Sequence, residues 1–61
     1  MPICTIKLLE GRTDEQKKAL VEKVTQAIQE TTGAGPEHIT VILEEMQRNH
    51  YAVGGVRASD K

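Results

Sequence analysis

The chain has 61 residues, of which eight are basic and nine acidic, and its formal net charge is −1. This balance, with Tyr51 as the single aromatic residue, argues against nucleic-acid and polybasic membrane partners. No apolar run approaches the roughly 20 residues that span a bilayer. The N-terminus also lacks the basic segment and long apolar core of a signal peptide, so we predict a cytoplasmic protein with no membrane partner.

The size of the chain predicts that it is not stable alone. A domain of this length buries about 60% of its unfolded surface, and the gain from that burial is about equal to the entropy cost of folding. A single cysteine, Cys4, excludes an internal disulfide, and no cysteine–histidine pair has the spacing of metal ligands. We therefore predict one domain over residues 1–61, stabilised by association with further copies of itself.

The first half of the chain predicts a strand followed by a helix. Residues 2–9 are rich in β-branched residues and apolar on much of both faces, which is typical of a strand that is buried or paired on both. Thr13 and Gln16 have the spacing of a capping box, and apolar residues then recur every three or four positions. This pattern predicts a helix over residues 14–32 that ends at Gly33.

The second half predicts another strand and a hairpin. Residues 39–43 are again β-branched and apolar on both faces, which predicts a strand over residues 39–45. A strand–helix–strand order predicts parallel strands with a right-handed crossover. Gly54-Gly55 predicts a tight hairpin, and residues 59–61 are expected to fray. The predicted fold class is therefore α/β: a βαβ subunit with two parallel strands, one long helix and a short C-terminal hairpin, whose sheets are completed by oligomerisation.

Pro2 becomes chemically informative if Met1 is removed, as it generally is before a small second residue. Pro2 would then carry a secondary amine at the start of a buried strand. Desolvation and a nearby cation both lower the pKa of such an amine, because both disfavour the ammonium form, and a neutral amine can act as a general base. The alternative is that Pro2 only begins a strand, where its missing N–H does no harm.

Arg12 lies just before the predicted helix, where a cation opposes the helix dipole. Its guanidinium suits bidentate binding of a carboxylate, and the alternative is a solvated loop arginine. At about 3.3 Å per strand residue, Pro2 and Arg12 of one chain lie roughly 25 Å apart. Any site that contains both is therefore shared between subunits, which an antiparallel pairing of two copies would allow.

The remaining polar residues give weaker signals. Tyr51 follows a predicted turn and either walls a pocket or packs in an interface. Cys4 is predicted to be an inert core thiol, and His38 and His50 are predicted to be surface histidines. Three lysines lie among acidic residues of the helix and are predicted to form a solvated face: Lys17, Lys18 and Lys23.

Four segments of the chain together resemble the 4-oxalocrotonate tautomerase family. They are residues 1–3 (MPI), 8–17 (LLEGRTDEQK), 44–46 (EEM) and 50–55 (HYAVGG). The resemblance covers essentially the whole chain. It implies βαβ subunits assembled as a homohexamer, a trimer of dimers, and an enzyme that needs no cofactor.

The resemblance also implies a reaction and assigns residues to it. Pro2, freed by the removal of Met1, would take the hydroxyl proton of a 2-hydroxy-2,4-dienoate such as 2-hydroxymuconate and deliver a proton to C5. The product would be a 2-oxo-3-enoate, within the catabolism of aromatic hydrocarbons. Arg12 of a neighbouring subunit would bind the distal carboxylate. Tyr51 stands where the best-studied members have a phenylalanine that walls the pocket and keeps it dry.

Two features depart from the family pattern. Thr40 stands where the best-studied members carry a second arginine, which leaves Arg48, Arg57 and His38 as alternative cations. If Met1 stays attached, the nitrogen of Pro2 is an amide without a basic lone pair. Two alternative functions therefore stay open: a promiscuous proline-based lyase or dehalogenase, and a non-catalytic oligomeric binding module.

Overall fold

The computed structural model describes residues 1–61 as a β–α–β unit followed by a hairpin, as predicted. The regular elements are β1 (Ile3–Leu9), α1 (Asp14–Thr32), β2 (Thr40–Met46), β3 (Ala52–Val53) and β4 (Val56–Arg57). Short 3₁₀ turns cover Pro36–His38, Arg48–His50 and Ala58–Asp60. No helix is both long enough and apolar enough to cross a membrane.

Both ends of α1 are capped by the residues that the sequence predicted. The Thr13 hydroxyl accepts a hydrogen bond from the Gln16 N–H (3.1 Å), and the Gln16 side-chain oxygen accepts one from the Thr13 N–H (2.9 Å). Gly33 adopts the left-handed conformation (φ 78°), and its N–H donates to the Gln29 carbonyl. These bonds satisfy backbone groups that a helix otherwise leaves without partners, so the helix has defined ends.

β1 and β2 pair in parallel, from Ile3 opposite Thr40 to Leu9 opposite Met46. β2 begins one residue later than predicted, because the Ile39 N–H donates to the Pro36 carbonyl and closes the preceding 3₁₀ turn. The Thr40 N–H then donates to the Pro2 carbonyl (3.0 Å) at the amino ends of the two strands. The register therefore fixes which residues of the two strands are neighbours.

Burial alternates along both strands, because α1 covers only one face of the sheet. The half-buried residues on the helix side include Cys4, Ile6, Leu8, Val41 and Leu43. The alternating residues of the opposite face are exposed, including Ile3 (66% exposed) and Ile42 (44% exposed). The sequence predicted strands covered on both faces, and the fold of one chain covers only one.

The isolated subunit has almost no closed core. Ala58 is the one buried residue of 61, and the accessible surface is 4702 Å², against about 3,900 Å² for a compact protein of this mass. The radius of gyration is 14.5 Å, against about 10 Å for a compact chain of this length. The hydrophobic effect therefore has unburied apolar surface to act on, and it favours association.

The C-terminal segment is ordered by a hairpin and an ion pair. Gly54 and Gly55 both have positive φ, 61° and 83°, as a two-residue hairpin of type I′ requires. Arg57 then makes a two-pronged ion pair with Asp60, at 2.8 and 3.3 Å. Where the sequence predicted fraying of residues 59–61, the structure has a 3₁₀ turn that runs to Asp60, whose carboxylate pairs with Arg57.

We expect Thr13→Ala to lower the free energy of unfolding by about 1 kcal/mol, since the capping box loses its hydroxyl acceptor. Urea unfolding followed by helical circular dichroism, at one fixed protein concentration, measures the difference. Thr31→Ala is the matched control, because the Thr31 hydroxyl bonds only to carbonyls within the helix and alanine has the higher helix propensity. Equal losses in both variants would contradict the capping role.

We expect Ile42→Glu to weaken self-association, because it puts a charge on the exposed apolar face of the sheet. Sedimentation velocity across a concentration series should give a smaller particle than the unmodified protein gives. Gln29→Glu makes the same change of charge on the exposed side of α1 and should leave the particle size unchanged. An unchanged particle for Ile42→Glu would mean that this face is not an interface.

Candidate active site

Pro2 and Thr40 lie side by side at the amino ends of the two parallel strands. Pro2 directly precedes β1, is half-buried, and its carbonyl accepts the Thr40 N–H at 3.0 Å. Thr40 is exposed, on the face of the sheet that α1 does not cover. The structure therefore brings together two of the residues singled out in the sequence, the proline and the threonine that stands in place of an arginine.

Arg12 lies at the other end of the sheet, in the loop between β1 and α1. It lines an open cavity of about 230 Å³ together with two leucines, Leu8 and Leu20, and two polar residues, Gln16 and Lys17. The cavity thus combines apolar walls with two cationic side chains and an amide. An anion that carries a short apolar chain suits this lining.

The two ends of the sheet are too far apart to form one site within a chain. β1 contains seven residues and spans about 23 Å at about 3.3 Å per residue. Pro2 precedes this strand and Arg12 follows it. One chain therefore holds the proline at one end of the sheet and the arginine at the other.

Tyr51 follows the 3₁₀ turn Arg48–His50, beyond the carboxyl end of β2. Its side chain is 43% exposed. Its carbonyl accepts a hydrogen bond from the Ala58 N–H (2.8 Å), so the hairpin between them fixes the backbone of Tyr51. A partly exposed, backbone-anchored aromatic ring can serve as the wall of a pocket that another chain completes.

The three side chains considered as replacements for the missing second arginine differ in whether a carboxylate already pairs with them. Arg57 is held by Asp60, and the exposed His38 lies 3.7 Å from the Glu37 carboxylate. Arg48 lies in the 3₁₀ turn before Tyr51 and makes no ion pair. Of the three, Arg48 is the one without a carboxylate partner.

Comparison with known proteins identifies the chain. The family model described as "Tautomerase enzyme" matches residues 2–61. A crystal structure of a homologue of 4-oxalocrotonate tautomerase is 63% identical to the chain, covers 98% of each chain and superimposes with a TM-score of 0.94. The chain belongs to the 4-oxalocrotonate tautomerase family. It is thus an enzyme of the keto–enol tautomerase class.

Two further members place this tautomerase within its family. The 2-hydroxymuconate tautomerase of Bacillus subtilis (strain 168) is 65% identical over 60 residues, which is 98% of this chain and 97% of the relative. A 4-oxalocrotonate tautomerase from Chloroflexus aurantiacus, described as a heterohexamer, is 28% identical, covers 98% of this chain and 97% of its own, and superimposes with a TM-score of 0.92. Members of the family are thus oligomeric enzymes.

The sequence missed one residue of the tautomerase cavity. Lys17 was predicted to lie on the solvated face of the helix, but its side chain is only 29% exposed and its ammonium lies 2.7 Å from the Glu45 carboxylate. The helical spacing carries a signal for this, because Lys17 lies three residues before Leu20 and four before Val21, both half-buried. Lys17 therefore belongs to the inner face of α1.

We expect Gly55→Ala to destabilise the hairpin by about 1 kcal/mol, because a side chain is strained at a φ of 83°. Since Tyr51 is the only aromatic residue, its fluorescence reports on this region during urea unfolding. Gly35→Ala is the matched control: the φ of Gly35 is −70°, and only the exposed Glu37 side chain has to move. Unfolding at the same urea concentration in both variants would contradict the strain.

Proposed function

We propose that the chain converts a 2-hydroxy-2,4-dienoate, such as 2-hydroxymuconate, to the 2-oxo-3-enoate, with Pro2 as the general base. The observation that carries this proposal is the position of Pro2, half-buried beside Thr40 at one end of a sheet whose other end holds Arg12. The 65% identity to a 2-hydroxymuconate tautomerase supports the choice of substrate.

The proposal requires that Met1 be removed from the mature protein. Pro2 then carries a secondary amine, whose neutral form has a lone pair that can accept a proton. A pocket closed to water disfavours the ammonium form and so lowers the pKa of this amine. The Tyr51 ring of a neighbouring copy forms part of the wall that excludes water.

The complete site forms between copies of the chain. The exposed apolar residues and the small buried fraction of the single chain favour association. An antiparallel approach of two sheets brings the amino end of one, with Pro2, beside the carboxyl end of the other, with Arg12. We propose a homohexamer, a trimer of dimers, in line with the hexameric family member from Chloroflexus aurantiacus.

The proposed proton transfer is balanced within the substrate. The Pro2 amine takes the proton of the 2-hydroxyl group, the C2 oxygen becomes a carbonyl, and the double bonds shift by one position. The prolyl ammonium then delivers a proton to C5, which leaves the enzyme unchanged. Arg12 binds the distal carboxylate and stabilises the electron density that moves towards C5.

Thr40 sets the expected strength of this activity. Its hydroxyl can donate one neutral hydrogen bond to the 2-oxygen or to the neighbouring carboxylate. A charge-assisted bond contributes about 1.5–3 kcal/mol, so the lack of an arginine costs roughly 10- to 150-fold in rate if it is felt in the transition state.

The six-carbon skeleton of 2-hydroxymuconate is that of an opened aromatic ring, and we assign the enzyme to the cytoplasmic breakdown of such compounds.

A mixing experiment tests both the residues and the shared site. We expect Pro2→Ala to lower kcat by about 10²- to 10⁴-fold, as loss of a general base does, and Arg12→Gln to lower kcat/KM by roughly 10- to 150-fold. When the two variants are unfolded together in equal amounts and refolded, about one quarter of shared sites draw both residues intact. Activity should therefore rise well above that of either variant, measured by ketonisation of 2-hydroxymuconate in ultraviolet absorbance.

The controls for this experiment separate its possible outcomes. Intact mass must first establish that the protein begins at Pro2, and each variant refolded alone must show no more activity than it had before unfolding. No gain on mixing would place Pro2 and Arg12 in separate sites. Full activity of Pro2→Ala would overturn the role of the proline. Turnover at the uncatalysed rate by the unmodified assembly would direct the search to haloacrylates and to the lyase or dehalogenase alternative.

A further inference from the structure

The cavity beside Arg12 contains more than one group that can bind an anion. Its polar lining consists of a guanidinium, an ammonium and an amide, from Arg12, Lys17 and Gln16, and it includes no carboxylate. Leu8 and Leu20 supply the apolar part of the lining. Such an arrangement resembles a binding site for a carboxylate joined to a hydrocarbon chain more than a site for a solvated ion.

Lys17 lines this cavity, and an ion pair fixes the position of its side chain. Its side chain is 29% exposed, and its Nζ lies 2.7 Å from Oε2 of Glu45 on β2. An ammonium has three hydrogens to donate, so two stay available after the bond to Glu45. Lys18, the next residue, is exposed and makes no ion pair. The ion pair with Glu45 therefore distinguishes Lys17 from its neighbour by position as well as by burial.

Gln16 is also oriented by a bond that leaves its donor free. Its side-chain oxygen accepts the Thr13 N–H at 2.9 Å as part of the capping box. The amide nitrogen at the other end of the group makes no hydrogen bond in the chain and can donate to a bound anion. The same capping box that begins α1 thus fixes the amide at the cavity.

We propose that Lys17 and Gln16 form, with Arg12, the subsite for the distal carboxylate, and that Lys17 makes the enzyme selective for dicarboxylate over monocarboxylate dienols. This inference rests on the proposed function for the identity of the substrate. Glu45 is the positioning residue that directs the ammonium of Lys17 to the cavity. Two cations around one carboxylate bind it more tightly than Arg12 alone, which helps a site that lacks the charge of an arginine at Thr40.

Turnover of two substrates tests the selectivity. We expect Lys17→Gln to raise KM for 2-hydroxymuconate about 10-fold, as the loss of one charge-assisted hydrogen bond does. For 2-hydroxypenta-2,4-dienoate, which has no distal carboxylate, KM should change by less than about 2-fold. Lys17→Arg should restore most of the loss, and Lys18→Gln is the control with the same change of charge on the exposed face.

Lys17→Gln leaves Glu45 without its partner, so a double variant is also required. Lys17→Gln combined with Glu45→Gln removes both charges and preserves hydrogen-bonding side chains at the two positions. If it keeps the selective loss for 2-hydroxymuconate, the loss is due to the missing cation. If Lys17→Gln affects both substrates equally, or if Lys18→Gln has the same effect, the proposal is overturned.

A binding measurement distinguishes failure of this inference from failure of the proposed function. Muconate carries both carboxylates but has no 2-hydroxyl to lose, so its dissociation constant can be measured by calorimetry without turnover. Weaker binding to Lys17→Gln by about 10-fold, with Lys18→Gln unchanged, supports the subsite even if 2-hydroxymuconate is not converted. Conversion of 2-hydroxymuconate with equal muconate binding by all variants would overturn the subsite and leave the tautomerase reaction standing.

Discussion

One helix covers one face of a two-stranded sheet, and this geometry governs the other properties of the subunit. The residues that face α1 are only partly exposed, whereas on the opposite face Ile3 is 66% and Ile42 44% exposed. Neither strand has a second hydrogen-bonded neighbour in the sheet, so both outer edges are open to pairing. Within this topology the chain leaves one face and both edges uncovered, and self-association can cover them.

The parallel pairing of β1 and β2 decides at which end of the sheet each candidate site residue lies. Parallel strands have both amino ends at one end of the sheet, which puts Pro2 beside Thr40. Both carboxyl ends lie at the other end of the sheet, near Arg12. Antiparallel strands in the same length of chain would instead have put one amino end and one carboxyl end at each end of the sheet. The exposed sheet face and the division of the proposed site between copies both follow from this topology. An enzyme of this design would lose its activity together with its assembly.

The carboxyl end of the sheet is the cationic half of the proposed site, and local contacts fix the positions of its polar side chains. The capping box both begins α1 and orients the amide of Gln16. The ion pair from Lys17 to Glu45 fastens the first turns of α1 to β2 and holds the ammonium beside the cavity. Bonds that stabilise the fold thus also reduce the freedom of groups that would bind a substrate, which lowers the entropy cost of binding.

The sequence alone determined the elements, because their signals are local. The capping box at Thr13 and Gln16, the left-handed position of Gly33 and the paired glycines of the hairpin each specify backbone geometry within a few residues. The strand length also predicted that Pro2 and Arg12 lie apart. The helical spacing indicates the side of α1 on which Lys17 lies, but only the tertiary structure decided its ion pair, because its partner Glu45 lies 28 positions along the chain. It likewise decided which face of the sheet stays exposed, because one helix can pack on only one side.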